Sequence, residues 1–440
     1  MSLYSEIFYS DEINELFSEK NLVGQMLQFE AVLAVSQARQ GIIPVTSAEI
    51  IGHCCSADLI DFEALKTSIK LSGNAAIPLI KQLTDIVKKK DIEAAKYVHL
   101  GATSQDVIDT ATVLQIKDFI DWVEEKLNVL EKNLIFLTQK HRSTVMIGRT
   151  LLQQAKPITF GLKTALFLES ISRSKERINE AKKRILVVQL SGAVGSQNQN
   201  ITGVVKQVFA EILELNIANS WHTNRDNFVE FASVLGVLVG SLGKIAKDFS
   251  LLMQTEVAEV FEGAAKGKGG SSTMPHKRNP VTSTAILANA SRVPNLVATM
   301  LSIMPQEHER SVGLWHAEWE VLNEIMLLTA GTIERSIELI EGLEVDENRM
   351  IENLELTKGL IYAENISLKL AQKIGKSAAH DLIEKACKMA ISEKKHLKEI
   401  LQDLAIDLPN LDELFKPENS IGLSFEIIDE ILKNWKNDKY

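Results

Sequence analysis

The stretch Asp226–Glu262, DNFVEFASVLGVLVGSLGKIAKDFSLLMQTEVAEVFE, decides the fold class. Phe228, Phe231, Leu235, Leu238, Leu242, Ile245, Phe249, Leu252, Val257 and Val260 recur mostly at steps of three and four, with Lys244, Lys247 and Asp248 between them. Side chains at those steps share one helix face, so the spacing predicts a single long helix with an apolar stripe to cover. Gly236, Gly240 and Gly243 would each weaken an isolated helix by about 1 kcal/mol, so they are predicted to mark close approach of a neighbouring helix.

The same periodicity runs through Val107–Lys140, Ile158–Leu190, Pro280–Ile303 and Glu318–Gly342. Five long helices joined by short polar segments imply an all-α bundle, because each apolar stripe needs a partner. Bundles of this length often cover their remaining apolar faces by oligomerising. Before this region the elements are shorter, broken at Gly41, Pro44, Gly52, Gly73 and Pro78. Beyond the polar stretch Glu344–Asn353, helices are expected near Gly359–Ile374 and His380–Leu404. The expected organisation is an N-terminal helical domain (1–105), a central long-helix bundle (106–350) and a C-terminal helical domain (351–440).

Composition agrees with this organisation. Only 23 glycines and 9 prolines interrupt 440 residues, and 45% hydrophobic content is ample for packed cores. Cys54, Cys55 and Cys387 cannot form an even disulfide framework, which suits a reducing compartment. The N-terminus, MSLYSEIFYSDEINELF, lacks the basic and apolar regions of a signal peptide, and Val234–Leu242 is too short to span a bilayer. A cytoplasmic protein with no membrane partner is expected. The net charge of −10 disfavours a nucleic-acid partner. No HExxH or clustered His/Cys spacing occurs, so neither a metal nor a cofactor is expected.

Charge distribution is more informative than its sum. No Asp or Glu lies between Lys132 and Leu168, where Lys132, Lys140, Arg142, Arg149, Lys156 and Lys163 fall. None lies between Gly263 and Gln306, which holds Lys266, Lys268, Lys277, Arg278 and Arg292. Two such windows in an acidic chain predict a local anion site.

The second window contains Gly267–Pro280, GKGGSSTMPHKRNP. Its glycines can bring backbone N–H groups close to an anion, Ser271 and Ser272 supply hydroxyls, and Asn279 and Pro280 suit the opening of the next helix. This wording resembles the signature loop of the fumarase/aspartase superfamily. The resemblance implies that Ser271 is the general base and that Lys277 and Asn279 hold the base and a substrate carboxylate. A serine takes a carbon-bound proton only where N–H donors and cations stabilise its alkoxide. A mobile loop would close the site against water.

Two more superfamily regions are present. His99–Ala111, HLGATSQDVIDTA, resembles the first, whose Thr-Ser pair binds substrate carboxylate: here Thr103 and Ser104, with Gln105 beside them. Asp106 reads as a helix cap. Gly148–Gly161, GRTLLQQAKPITFG, resembles the second, implying substrate contacts from Thr150 and Gln153. Arg149 admits two readings, a carboxylate ligand or a structural ion pair. His99 likewise reads as a contact to a substrate carboxylate or as a packed histidine bonded to backbone. His276 reads mainly as a solvated loop residue. In Gln306–Trp319, QEHERSVGLWHAEW, Arg310 reads as a carboxylate ligand between His308 and His316, and Trp315 and Trp319 as packing.

Within the superfamily, the first region suits both adenylosuccinate lyases and bacterial 3-carboxy-cis,cis-muconate cycloisomerases. The lyases carry a histidine where this chain has Leu151, and another where it has Asn74; neither replacement can donate a proton near neutral pH. GRTLLQQAKPITFG and Leu71–Leu83, LSGNAAIPLIKQL, resemble the cycloisomerases instead, with Ser191 a departure from their usual glycine. That branch implies lactonisation of a small tricarboxylate by a homotetramer with shared active sites. The alternatives are an adenylosuccinate lyase or another polycarboxylate lyase, and a non-catalytic helical assembly protein on the same scaffold.

Overall fold

A computed structural model of the chain describes residues 3–265, 269–270, 274, 276–406, 408 and 410–437. Among them the order is α1 (Glu19–Arg39), α2 (Val45–Cys54), α3 (Phe62–Ser72), α4 (Ala76–Lys90), α5 (Ser104–Lys140), β1 (Val145–Thr150), β2 (Gln153–Thr159), α6 (Phe160–Ile185), α7 (Gly203–Leu213) and α8 (Asp226–Leu252). There follow β3 (Val260–Phe261), α9 (Val281–Ile303), α10 (Leu314–Glu341), β4 (Glu344–Val345), α11 (Glu347–Leu354), α12 (Ala363–Ile374), α13 (Lys376–Glu393), α14 (Leu397–Asp403) and α15 (Ser424–Lys436). The fold is all-α, with two short antiparallel strand pairs, β1–β2 and β3–β4.

Two compact units emerge. The first comprises Met1–Leu127, Ser174–Gly240 and Ala288–Glu334; the second comprises Asn128–Arg173, Ser241–Leu287 and Arg335–Tyr440. Helices α5, α6, α8, α9 and α10 each contribute residues to both. In the first unit, Phe119 of α5 meets Phe231 of α8 edge-on at 6.4 Å, both fully buried. Each such ring removed from water stabilises by about 2–3 kcal/mol. A Cβ on Gly236 of α8 would stand 3.0 Å from Val297 of α9, so this glycine does mark close helix approach; Gly240 has open space beside it. Buried Arg225 ties the helices together, bonding Asp109 of α5 at 2.8 Å and Glu318 of α10 at 2.6 Å.

In the second unit, Phe160 and Phe167 of α6 pack on Phe249 of α8. The inward side chains of β1, Val145 and Ile147, join a core with Leu354, Ile361, Tyr362 and Ile366. The hairpin is thus rooted in the C-terminal helices.

Several predicted boundaries shift. The helix expected over Asp226–Glu262 ends at Leu252, because the chain turns at Ala258 (φ 54°) and β3 begins at Val260. Ile158 and Thr159 are strand, and the Thr159 hydroxyl caps α6 by accepting the Leu162 N–H at 3.1 Å. His380–Leu404 is two helices broken at Lys394 (φ 53°), with His396 Nδ1 capping α14. The hairpin itself escaped the helical reading of that region.

Helix α8 is also long and apolar enough, by length and composition, to cross a membrane, which corrects the reading of Val234–Leu242 as too short to span a bilayer. Its stripe is already used: Phe231, Leu235, Leu238, Leu242 and Phe249 are fully buried inside the protein.

Candidate active site

The first-region residues sit where α5 begins. Thr103 precedes the helix, and Asp106 in its first turn accepts the Thr103 N–H at 3.1 Å, one half of a capping box. Asp106 does more than cap. Fully buried, its carboxylate also accepts the N–H groups of Ser191 (3.0 Å) and Gly192 (2.9 Å), the Gln189 amide (3.3 Å) and His222 Nε2 (3.0 Å). A carboxylate with this many donors is a fixed hub, since losing it would strand several buried groups at once.

Arg310 docks onto that hub. Its Nη2 donates to the Thr103 hydroxyl at 2.8 Å and to the Ala193 carbonyl at 3.2 Å, and its Nε donates to Gln105 Oε1 at 3.1 Å. Gln105, fully buried, passes its own amide N–H to the His222 carbonyl at 2.8 Å. The structure therefore brings Thr103, Gln105 and Arg310 together within one unit. Ser104 is half-buried beside them, and its hydroxyl has no partner among the described residues.

His99 has a left-handed backbone (φ 58°) and sits 2.7 Å through Nδ1 from Glu30 Oε1 of α1. Burial alone would lower its pKa, but the charge and hydrogen bond of Glu30, with the charge of Asp106, outweigh burial and raise it. Its partner is thus a carboxylate, not the backbone group of the packed-histidine reading.

Lys206 of α7, almost fully buried, donates to the Ser191 hydroxyl at 3.3 Å, and burial holds its amine below the usual lysine range. Ser191, the departure from the branch pattern, therefore gives this amine an acceptor.

The second-region residues lie at the hairpin tip in the other unit. Thr150 and Gln153 pair directly across β1 and β2, and both are exposed. Between them Leu151 (φ 51°) and Leu152 (φ 64°) form a two-residue turn in left-handed conformations that favour Asn and Gly. They stand 96% and 74% exposed. The root is held firmly: Arg149 makes a bidentate pair with buried Glu259 at 2.6 and 2.9 Å, and Asn353 donates to the same carboxylate at 2.8 Å. Arg149 is thus a structural pair, the second of its two readings.

Of the signature loop, Ser271 lies outside the described residues. Gly269 (φ 67°) receives the Asn279 N–H on its carbonyl at 3.0 Å, and a Cβ there would strike Asn279 O at 2.8 Å. Arg278 spends its guanidinium on Glu344 (2.8 and 2.9 Å) and on the Glu262 carbonyl (2.6 Å). The cap of α9 is Glu262, which accepts the N–H groups of Thr282 and Ser283 at 2.9 and 2.8 Å; the Asn279 side chain is not needed for it. Lys277 is exposed and makes no ion pair among the described residues.

The acid-free windows are acid-free only along the chain. Arg142 pairs with Asp429, Lys156 with Glu364, Lys163 with Asp248, and Arg292 with Glu324. With Arg149 on Glu259 and Arg278 on Glu344, six cations of the two windows have acid partners in space, while Lys277 has none among the described residues and Lys266 and Lys268 lie outside them. Asn74 has a local task, its Oδ1 accepting the Ile77 N–H at 3.1 Å at the start of α4. Trp315 packs as expected, fully buried with its N–H on Asp109 at 3.0 Å. The sequence reading missed Glu30, Lys206 and His222. Glu30, a lone acid in the apolar run of α1, carried a readable signal; the other two carried none.

Comparison with known proteins places this geometry. Residues 8–295 match the lyase family, and residues 359–431 match the adenylosuccinate lyase C-terminus family. The 3-carboxy-cis,cis-muconate cycloisomerase of Acinetobacter baylyi is 47% identical, covering 99% of each chain. That of Pseudomonas aeruginosa is 45% identical over 96% of this chain and 93% of the relative. The crystal structure of the 3-carboxy-cis,cis-muconate lactonizing enzyme from Pseudomonas putida superposes with a TM-score of 0.95 at 43% identity, covering 100% of both chains. The chain belongs to the lyase family of the fumarase/aspartase superfamily.

Proposed function

We propose that this protein converts 3-carboxy-cis,cis-muconate to 4-carboxymuconolactone, a step in protocatechuate degradation. The observation that carries this reading is end-to-end similarity, at more than two-fifths identity, to relatives named for that reaction. One substrate carboxylate adds to a double bond in the same molecule, and the carbon next to another carboxylate gains a proton. In reverse, a base removes that proton and a carboxylate leaves. Holding both reacting groups in one molecule supplies the proximity.

In this reading Ser271 carries the proton, and Lys277 and Asn279 stabilise the base and a carboxylate. Thr103, Ser104, Gln105, His99 and Arg310 form a carboxylate cradle, and Thr150 and Gln153 contact substrate from the hairpin. A departing carboxylate is already a stable anion, so an acid at the hairpin tip is dispensable; this accommodates Leu151. The match to the adenylosuccinate lyase C-terminus keeps that lyase as the second reading. Its departing amine needs a proton that neither Leu151 nor Asn74 can give. The three sequence regions 1–105, 106–350 and 351–440 belong to this proposal, as do a cytoplasmic location and a homotetramer whose sites combine regions from different copies. No cofactor or metal has a step in it.

The test is ultraviolet absorbance with purified enzyme on each substrate. Loss of the diene signal only with the muconate is expected; turnover only of adenylosuccinate overturns the proposal. Ser271→Ala should lower kcat roughly a hundredfold or more with assembly unchanged, and an unaltered rate would remove Ser271 as the base. A fully active monomer in light scattering would refute the shared sites.

A further inference from the structure

Glu30 belongs to no motif, yet its surroundings are specific. It lies on the buried face of α1 at 2% exposure, with Phe29, Val32 and Leu33 as neighbours in the helix. Its Oε1 meets His99 Nδ1 at 2.7 Å, and its Oε2 has no hydrogen-bond partner among the described residues. A buried carboxylate with one neutral donor would be left poorly compensated; the same carboxylate beside an imidazolium forms a charge pair. The nearby Cys55 thiol is pushed up by burial and by that carboxylate.

The ring is also held in place. Gln37, two turns along α1, donates to the carbonyls of Leu100 (2.7 Å) and Asn200 (3.0 Å), fixing the chain beside His99. The left-handed backbone at His99 aims the side chain back at α1. Its side chain remains 18% exposed, and Nε2 has no hydrogen bond among the described residues. The carboxylates acting on the ring are Glu30 from α1 and Asp106 from α5. Asp106 is already occupied by its five donors.

A tricarboxylate brings three negative charges, and Arg310, bonded only to the neutral groups of Thr103, Gln105 and Ala193, keeps one positive charge to set against them. An imidazolium at His99 would add a second cation in the same unit. We propose that Glu30 is a positioning residue that keeps His99 an imidazolium, with its free Nε2–H binding a substrate carboxylate. This rests on the proposed cycloisomerase reading.

The sign follows from the pair. With Glu30 present, His99 keeps its proton above the ordinary histidine value, so KM is low below that point and rises as pH climbs through it. Glu30→Gln keeps the shape but removes the charge, so the rise in KM shifts to lower pH. The experiment pairs an NMR titration of the His99 ring with KM and kcat against pH, in wild type and Glu30→Gln. Near neutral pH, Glu30→Gln should raise KM about tenfold, the loss of one charge-assisted hydrogen bond, with kcat little changed. His99→Asn tolerates the left-handed backbone and should raise KM similarly at all pH values, abolishing this limb of the profile. It also serves if Glu30→Gln fails to fold.

A ring titration unmoved by Glu30→Gln, or centred at or below the ordinary value in wild type, overturns the pairing. A shifted titration with unchanged KM, or an unaltered profile in His99→Asn, overturns the carboxylate contact. If wild type fails on the muconate, the proposed reaction falls instead, and the ring titration still decides the pairing.

Discussion

The cradle at the start of α5 and the tip of the β1–β2 hairpin handle polar groups in opposite ways. In the cradle nearly every group is spoken for: Arg310 grips Thr103 and Gln105, and Asp106 collects five donors beneath them. At the tip, Thr150 and Gln153 are exposed, and two leucines project between them from strained conformations. Only the root is secured, by Arg149 on Glu259. The cradle is thus preorganised within one unit, where fixed dipoles need no rearrangement to meet an anion. The tip is a rigidly rooted group of side chains left exposed by its own hairpin. Strain and apolar exposure at one place cost stability, and such sites concentrate where function tolerates that cost.

The largest effect expected from breaking this contrast is on the cradle. Asp106→Ala should lower stability by about 4 kcal/mol, because it strands several buried donors together. Urea unfolding measures this, and a loss below about 1 kcal/mol would mean that the hub is not rigid. Next comes Arg310→Lys. A single ammonium cannot span Thr103, Gln105 and Ala193 as a planar guanidinium does, so KM should rise about tenfold with little loss of stability. An unchanged KM would take Arg310 out of substrate positioning. The smallest effect is at the tip and has the opposite sign. Replacing Leu151 and Leu152 by Asn and Gly should raise stability by about 1 kcal/mol, by relieving two left-handed leucines. Turnover should fall in the same variant. Increased stability with full activity would show that the leucines serve no purpose at the site.

How much of this was legible depended on the range of the interaction. The five long helices were readable because a three-and-four spacing is local, and only their ends moved. The ends moved where a side chain from elsewhere, or a left-handed residue, closed the turn: Ala258 after α8 and Lys394 after α13. The β1–β2 hairpin was missed because neither a Gly-containing turn nor clear alternation announces it; its pairing is secured by Val145 and Ile147 entering the C-terminal core. The ion pairs of the two acid-free windows were hidden for the same reason. Linear absence of acids says nothing about Asp429, Glu364 or Asp248, which the fold brings to those cations.

The sequence by itself determined the helical architecture, the superfamily and the residue types available for carboxylate chemistry. Each rests on local spacing or contiguous motifs. Tertiary structure alone decided which of those residues are wired together. It gave Arg149 to Glu259, Arg310 to Thr103 and Gln105, Lys206 to Ser191, and His99 to Glu30, sixty-nine positions away. The physical reason is that a buried charge must find its partner in space, and its position along the chain leaves that partner open.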